Sequence, residues 1–346
     1  MSSRNLTTDT IAMDLFALVR NLIDIPSVTG TEGEVGRFLR SYLEGLDYRV
    51  ETQEVAPDRF NVIATRGDPA RVVFSTHLDT VPPFIPSHED EENIYGRGAC
   101  DAKGIIAAQI FAAERLRADG FHQTGLLFTV DEELASVGAR AANNFARASE
   151  CRFLINGEPT DNRLAIGTKG SMRLMITTEG RSAHSAYPEA GESAVEKLLD
   201  VLQSLRDCVW PRDDFFGETT CNIGVIAGGT RPNVIPDRAQ AELAIRLATD
   251  MEQVKKVVAD AVAGRAVIDY YSAHNPVRLF AVSDLEQTVV RFTTDIPYLS
   301  NWGQPLLLGP GSILDAHTEH ERISKRELEG AVELYVRLAR QLFGLT

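Results

Sequence analysis

The sequence is poor in cysteine, in clustered positive charge and in long apolar runs. Its 346 residues include four cysteines and no CxxC pair, so we expect reduced thiols and no disulfide framework. Lys and Arg total 35 against 49 Asp and Glu, a net charge of −14 without a basic cluster, which argues against nucleic-acid binding and against docking on an anionic membrane. No apolar run approaches the roughly 20 residues of a membrane span, and the N-terminus lacks the pattern of a signal peptide. These absences predict a cytoplasmic protein.

Two common catalytic signatures are missing as well. The stretch GRGACDAKG at 96–104 does not match the phosphate loop of nucleotide hydrolases, because Ala102 precedes Lys103 and Gly104 follows it. Ser312 lies in PGSIL and not in the GxSxG turn of serine hydrolases. The sequence therefore supports neither a P-loop site nor that type of serine nucleophile.

The chain of 346 residues has a length typical of two domains. In its first half, short apolar runs alternate with helical segments. The runs are rich in β-branched residues, and the longest helical segment has the pattern of a buried helix that ends at a glycine cap. This alternation predicts an α/β fold with a mostly parallel sheet flanked by helices. The predicted elements are strands at 71–76, 125–130 and 152–156, and helices after an N-cap at Thr10, over 32–46 and over 102–120.

Polar side chains follow each of the three predicted strands. His77 and Asp79 come after the first strand, on the same face of an extended chain, Asp131-Glu132-Glu133 follow the second, and Glu158 follows the third. Ligands of such sheets bind at the carboxyl ends of the strands. Three adjacent acids repel each other unless a counter-charge is present, and a divalent cation supplies one. We therefore expect one site assembled from three strand ends.

Taken singly, these residues leave other interpretations open. A His-x-Asp pair is a weak signal, and Asp101 at the start of a helix fits a simple N-cap. The acids at 131–133 also fit the start of a solvated helix, where negative charge is favoured by the helix dipole. Three further histidines are expected to be structural or exposed: His88 in a solvated acidic loop, and His122 and His274 at surface turns.

The composition changes near Gly167, where a second pattern begins. Its order is β-α-β-β-α-β, which predicts a small open-faced sandwich of α+β type inserted into the first domain. We therefore expect a catalytic domain formed by 1–168 and 279–346, and an inserted lid and dimerisation domain at 169–278. The predicted elements are strands at 170–178, 220–228, 239–247 and 266–271, helices at 192–209 and after a capping box at 249–252, and a C-terminal helix at 325–343.

Seven short motifs follow one another along nearly the whole chain. They are STHLDTVP at 75–82, YGRGACDAKG at 95–104, TVDEELASVGA at 129–139, NGEPT at 156–160, GRSAHSAYPEAGESA at 180–194, NVIPD at 233–237 and GPGSILDAH at 309–317. Each is weak alone, but together and in this order they resemble the M20 metallopeptidase and amidohydrolase family. The motif style and the short chain are most similar to its acetylornithine deacetylase and succinyl-diaminopimelate desuccinylase group.

The resemblance implies a centre with two zinc ions. The positions that match the family's metal ligands are His77, Asp101, Glu133, Glu158 and His317. Asp101 would bridge the two ions. His77 and Glu158 would complete the ligands of one ion, and Glu133 and His317 those of the other. His317 fits the spacing of the last motif better than His320 does.

The remaining matches concern catalysis. Glu132 matches the general base, and Asp79 matches the carboxylate that orients His77. The sequence departs from the family's usual pattern at Ala102, where methionine is common, and at Ala135, where glycine is common. Neither departure changes a ligand type, so both leave the implied chemistry intact.

The implied activity is hydrolysis of the amide bond of an N-acyl amino acid by a metal-activated water. Two zinc ions polarise the carbonyl and lower the pKa of water, and imidazole and carboxylate ligands also suit cobalt or manganese. A dipeptidase or carboxypeptidase with the same centre is the alternative. A non-catalytic binding relative is a third hypothesis, although the sequence retains every ligand type and the base.

The inserted domain is expected to complete the site. His184 matches a lid histidine that stabilises the oxyanion and, in dimeric members, reaches the partner's active site, which implies a homodimer. Asn233 and Arg246 match lid positions that contact the substrate carboxylate. For Arg246 the alternative is a solvated face of the sheet.

Overall fold

The structure, a computed structural model, describes residues 13–66 and 69–345. Within these ranges, no helix combines the length and the apolar character that crossing a membrane requires. The helices are α1 (Leu15–Asp24), α2 (Gly33–Gly45), α3 (Lys103–Ala118), α4 (Val137–Ala142), α5 (Ala194–Arg206), α6 (Met251–Val262) and α7 (Lys325–Phe343). The strands are β1 (Arg49–Ala56), β2 (Arg59–Thr65), β3 (Val72–His77), β4 (His88–Glu89), β5 (Asn93–Tyr95), β6 (Thr124–Thr129), β7 (Phe153–Asn156), β8 (Leu164–Thr168), β9 (Gly170–Glu179), β10 (Arg212–Asp213), β11 (Gly217–Glu218), β12 (Thr220–Gly228), β13 (Arg238–Leu247), β14 (Val267–His274), β15 (Val277–Arg278), β16 (Gln287–Val290), β17 (Gln304–Leu307) and β18 (Arg322–Ser324).

The chain divides into two compact units. The first contains the described residues up to Ile166, Leu279–Thr288 and the described residues from Thr294 onward. The second contains Gly167–Arg278 and the short stretch Val289–Thr293. The sequence pattern gave no sign of this short return, because five residues carry too little periodicity to mark a separate segment.

The sheet of the first unit has the strand order β1-β2-β6-β3-β7-β17-β8. Its centre is parallel, because β3 runs parallel to both β6 and β7, and β17 runs parallel to β7. Its flanks are antiparallel, since the hairpin of β1 and β2 joins β6 on one side and β8 joins β17 on the other. The predicted α/β class is confirmed, with a sheet that is parallel only at its centre.

Helix α3 forms the middle of the core of the first unit. It is apolar around most of its circumference, and it packs against α1, α7 and the strands β3 and β6. Gly157, just after β7, lies so close to this helix that a Cβ atom would be 2.3 Å from Cγ2 of Ile105. Glycine is therefore needed at the position that precedes Glu158.

The second unit has the predicted β-α-β-β-α-β order, with α5 and α6 packed on one sheet. The strand order is β12-β13-β9-β14, and all neighbours are antiparallel. The inward residues of β13 alternate as the sequence pattern predicts. Ala241, Leu243 and Ile245 are buried, and they lie opposite Ile176, Leu174 and Met172 of β9. The expected open-faced sandwich is confirmed.

Several helix ends differ from the prediction because another side chain provides the cap. Helix α1 has Asp14 as its N-cap, whereas the predicted Thr10 lies outside the described residues. Helix α6 is capped by Asp250, whose carboxylate accepts a hydrogen bond from the amide of Glu252, so the capping box expected at Thr249 is wrong. Helix α5 starts after Ser193, whose hydroxyl accepts from the amide of Glu196.

Candidate metal centre

Three strands of the first unit end side by side and bring the predicted polar residues to one edge. In the register of the sheet, His77 of β3 lies opposite Thr129 of β6, and Ser75 of β3 lies opposite Asn156 of β7. The residues that follow β6 and β7 therefore start from the same edge as His77. This is the arrangement that the parallel strands predict.

His77 is at the centre of a buried group of three candidate ligands. Its Nε2 lies 2.9 Å from Oδ1 of Asp101 and 4.0 Å from Oε2 of Glu158. Only 1% of the His77 side chain is exposed. Its Nδ1 lies 2.9 Å from the backbone oxygen of Asp79, and a proton donated there leaves the lone pair of Nε2 directed at the two carboxylates.

A second group lies on the other side of Asp101. Nε2 of His317 is 2.9 Å from Oε1 of Glu133 and 3.3 Å from Oδ2 of Asp101. Asp101 thus presents one oxygen to each histidine. Within each group the candidate ligand atoms lie within 4.8 Å of one another. His320, the competing histidine, belongs to neither group among the described residues.

The electrostatics of both groups favour added positive charge. Burial, together with repulsion from neighbouring acids, raises the pKa of Glu132 and of Glu158 well above the ordinary range. Hydrogen bonds to Asp101 and Glu133 raise the pKa of His317 to about 10. Oε1 of Glu158 is buried and has no hydrogen-bond partner among the residues that the structure describes. A set of imidazole and carboxylate donors with these properties fits two divalent cations.

Asp79 holds the turn that carries the acids. Its Oδ1 accepts a hydrogen bond from the amide of Glu132 at 3.0 Å, and its Oδ2 accepts from the amide of Glu133 at 3.2 Å and the hydroxyl of Thr29 at 2.8 Å. Burial opposes ionisation of this carboxyl, but the nearby His77 ring, the Thr29 hydroxyl and the backbone amide of Glu132 outweigh it and lower the pKa of Asp79. Asp79 therefore orients Glu132 and Glu133, a role that the sequence did not indicate. The predicted contact with His77 is made by the backbone oxygen of Asp79 at 2.9 Å, while the carboxylate Oδ1 lies 3.6 Å from the same Nδ1.

Comparison with known proteins identifies the family. A model of the peptidase dimerisation domain matches residues 166–269. A peptidase M20 domain-containing protein of Schizosaccharomyces pombe is 37% identical over 344 residues, which cover 94% of this chain and 84% of that protein. The chain belongs to the peptidase M20 family. A protein named probable carboxypeptidase from Aspergillus clavatus is also 37% identical, over 374 residues that cover 94% of this chain and 82% of the relative. The resemblance predicted from the motifs is confirmed for the family.

Solved structures share the fold of this M20 chain. A tripeptidase from Staphylococcus aureus aligns with a TM-score of 0.76 at 19% identity and covers 93% of this chain and 96% of its own. An M20 family metallo-carboxypeptidase from Sulfolobus solfataricus gives a TM-score of 0.73 at 16% identity, with 94% and 98% covered. A structure from Bacillus subtilis described as a dinuclear metal binding peptidase of the M20 family gives 0.68 at 16% identity, with 94% and 96% covered. At these identities the likeness concerns the fold alone.

The M20 motifs did not point to Arg59 and Glu32, which support the acidic turn. Arg59 forms two hydrogen bonds to the buried carboxylate of Glu32, at 2.6 and 2.7 Å. A third bond of 2.7 Å joins Arg59 to Oδ1 of Asp131, whose backbone has a left-handed φ of 71°. These residues lie outside the motifs, and a lone Arg in a strand carries no sequence signal, so only the structure reveals them.

The predicted substrate contacts of the M20 chain lie in the second unit. His184 is exposed, its Nδ1 accepts a hydrogen bond from the amide of Ala186 at 3.1 Å, and a backbone bridge links it to Val234, next to Asn233. Arg246 lies on β13, half-buried, at a register position between Thr220 and Ser171. His184 and Asn233 therefore lie close together within this unit, while Arg246 is placed on its sheet.

Proposed function

We propose that this M20 protein is a hydrolase that cleaves an amide bond with the help of two divalent metal ions. The observation that carries the proposal is the shared carboxylate of Asp101, whose two oxygens lie 2.9 and 3.3 Å from Nε2 of His77 and of His317. A carboxylate between two such groups suits a bridge between two ions. His77 and Glu158 would complete one ligand set, and Glu133 and His317 the other.

The donor set favours zinc. Imidazole nitrogen and carboxylate oxygen without thiolate are ligands that zinc accepts, and cobalt or manganese also fits them. When bound, a pair of such ions polarises a substrate carbonyl and makes water more acidic. The rest of the catalytic work then falls to side chains of the protein.

Glu132 is the proposed proton carrier. It lies between Asp131 and the candidate ligand Glu133, and its backbone is held by Asp79. A carboxylate in this place would accept a proton from the attacking water and later donate it to the nitrogen of the leaving amine. Asp79 would act as a positioning residue, because its two oxygens hold the amides of Glu132 and Glu133.

The proposed substrate is an amide whose leaving group is an amino acid with a free carboxylate. Two substrate types share this bond, namely N-acyl amino acids and peptides cleaved at their C-terminal residue. Resemblance to the acetylornithine deacetylase group supports the first, and the name probable carboxypeptidase of the relative in Aspergillus clavatus supports the second. The net charge of −14 favours cationic leaving groups such as ornithine or lysine.

The second unit would supply substrate contacts and the dimer interface. His184 would stabilise the oxyanion, from the partner subunit if the site is shared, and Asn233 and Arg246 would bind the substrate carboxylate. The match to a peptidase dimerisation domain supports a homodimer. The edge strand β12 also supports it, because Val225 and Ile226 are 51% and 55% exposed there. The four free cysteines are consistent with the proposed cytoplasmic location.

A substrate panel tests this proposal. The protein is stripped with a chelator, reloaded with zinc and offered N-acetyl amino acids, N-succinyl amino acids, dipeptides and N-blocked peptides. We expect hydrolysis only after reloading. Preference for a simple acyl group on the carbonyl side of the cleaved bond would indicate a deacylase, and preference for a peptide there would indicate a carboxypeptidase. A protein that binds zinc but hydrolyses no member of the panel would support the non-catalytic hypothesis instead.

Replacement of Glu132 tests the proposed proton carrier. Glu132→Gln should lower kcat by about 10²–10⁴-fold, because the proton loses its carrier, while the zinc content stays at the wild-type level. Glu329→Gln, which changes an exposed acid on α7, is the control and should leave kcat unchanged. Turnover of the Glu132→Gln variant at the wild-type rate would remove Glu132 from the mechanism.

A further inference from the structure

The loop that presents Asp101 is held by a buried carboxylate that belongs to none of the assigned sites. Oε1 of Glu321 accepts hydrogen bonds from the backbone amides of Gly98, at 2.9 Å, and of Asp101 itself, at 3.2 Å. The Glu321 side chain is 0% exposed. One oxygen therefore ties together both ends of the turn from which the shared candidate ligand projects.

The other oxygen of Glu321 is paired with Arg97. Oε2 lies 2.6 Å from Nη1 of Arg97, whose side chain is only 2% exposed. The same nitrogen donates to the backbone oxygen of Thr318 at 3.1 Å, and Nε of Arg97 donates to that of Pro83 at 3.3 Å. Arg97 thus balances the buried negative charge and joins its own loop to the loop that contains Thr318.

These bonds connect the chain segments of two candidate ligands. Asp101 lies at the end of the loop that contains Arg97 and Gly98. His317 lies four residues before Glu321 on a second loop, and its backbone has a left-handed φ of 64°. The amide of Gly96 also donates to the backbone oxygen of Glu321 at 3.0 Å. The 3.3 Å between Oδ2 of Asp101 and Nε2 of His317 is therefore set by two loops that Glu321 holds together.

The burial of Glu321 beside other acids indicates a role beyond folding. A further buried carboxylate close to an acidic centre is unfavourable unless its bonds compensate for the lost hydration. Here compensation comes from Arg97 and from amides of the ligand loop. A left-handed non-glycine residue such as His317 also costs energy and persists only where its surroundings hold it.

We propose that Glu321 is a positioning residue of the metal centre. By accepting the amides of Gly98 and Asp101 and pairing with Arg97, it fixes the separation of Asp101 and His317. It thereby sets the affinity for the ion that these two residues share. The inference rests on the proposed two-metal function.

The test measures zinc binding by the full-length protein. Zn²⁺ affinity and stoichiometry are obtained by competition with a chromophoric chelator, and hydrogen exchange of the amides in 96–101 is followed in the zinc-free protein. For Glu321→Ala we expect about 10–100-fold weaker binding of one of the two ions and faster exchange of the Gly98 and Asp101 amides. Where hydrolysis is measurable, kcat should fall with little change in KM, because the Glu321 side chain is 0% exposed and would act only through the loop that carries Asp101.

Controls separate positioning from general destabilisation. Glu319→Ala removes an exposed acid from the same loop and should leave zinc affinity unchanged. Thr178→Val removes a buried hydrogen bond of 2.8 Å to the backbone oxygen of Ala194 in the second unit, and it should lower thermal stability without altering zinc affinity. A folded Glu321→Ala variant with wild-type affinity for both ions overturns the inference. Failure of the wild-type protein to bind two zinc ions would instead overturn the proposed function.

A second variant decides the case in which Glu321→Ala does not fold. Glu321→Gln keeps one acceptor oxygen. That oxygen can accept hydrogen bonds either from the amides of Gly98 and Asp101 or from Arg97, and the variant loses the other contact. We expect a loss of affinity smaller than that of the alanine variant, about 3–10-fold. Unchanged affinity in this variant would show that Glu321 does not position the ligands.

Discussion

The two halves of the candidate metal centre are built differently. In the first half, His77 ends a central strand, and the side chains of His77 and Glu158 are 1% and 5% exposed. In the second half, His317 stands on an irregular loop with 47% of its side chain exposed, and Glu133 lies on a turn with 9% exposed. One half is therefore part of the sheet, and the other is assembled from loops held by polar contacts.

The difference indicates unequal stability of the two halves. A ligand at the end of a buried strand has its position fixed by the sheet register and by core packing, so little remains to be ordered when an ion binds. Ligands on loops depend on Asp79, Arg59 and Glu321, whose bonds must all be present. We expect the buried half to bind its ion more tightly and to exchange it more slowly.

The most damaging change should be one that affects both halves at once. Asp101→Asn removes the negative charge that lies between His77 and His317. Changes of residues behind a ligand cost about 10–100-fold in metal affinity, so loss of the shared ligand should exceed about 100-fold for both ions. Zinc content after gel filtration checks this, and retention of two ions would contradict a bridging role for Asp101.

Removal of one histidine from each half tests whether the halves differ. His317→Ala should leave one zinc ion bound with nearly wild-type affinity, because His77, Asp101 and Glu158 remain. His77→Ala should weaken the tighter site and leave only the weaker one. Stoichiometry and affinity from competition titrations provide the measurement. Equal residual affinities in the two variants would show that burial does not distinguish the halves.

Gradual removal of metal from the unmodified protein offers a milder test. With increasing chelator we expect two separate steps of zinc release, of which the first empties the exposed half. Activity should be lost in the first step, since both ions are required in the proposed mechanism. The Glu321→Gln variant should shift the first step to lower chelator concentration and leave the second in place. Release of both zinc ions in a single cooperative step from the wild-type protein would show that the two halves do not differ in affinity.

The sequence predicted the residues that follow strands, which occur in both halves, better than it predicted His317. The class of the fold and the residues at the strand ends follow from apolar runs that stop at His77, Asp131 and Glu158, since parallel strands deliver their ends to one edge. The choice of His317 came from resemblance to the M20 motifs, because nothing in a loop sequence fixes where its side chain points.

The supports of the loops could not be predicted. Arg59 and Glu32 lie 27 residues apart, and Arg97 and Glu321 lie 224 residues apart, so no local period connects them. Their pairing depends on tertiary contacts that form only in the folded chain. Helix ends were misplaced for a related reason, since Asp250 and Thr249 are both capable N-caps and the backbone geometry decides between them.

The smallest expected effect concerns the support of the acidic turn. Arg59→Lys keeps the positive charge but cannot reproduce the forked bonds to Glu32 together with the bond to Asp131. We expect a loss of about 1 kcal/mol in the free energy of unfolding and a few-fold weaker binding at the exposed half, with the buried half unaffected. Urea unfolding and zinc titration provide the measurements. Arg40→Lys is the matched control, because the ion pair of Arg40 with Glu44 is about half exposed on both sides and should contribute less than about 0.5 kcal/mol. Equal losses in the two variants would mean that the Arg59 contacts behave as an ordinary surface pair and do not hold the turn.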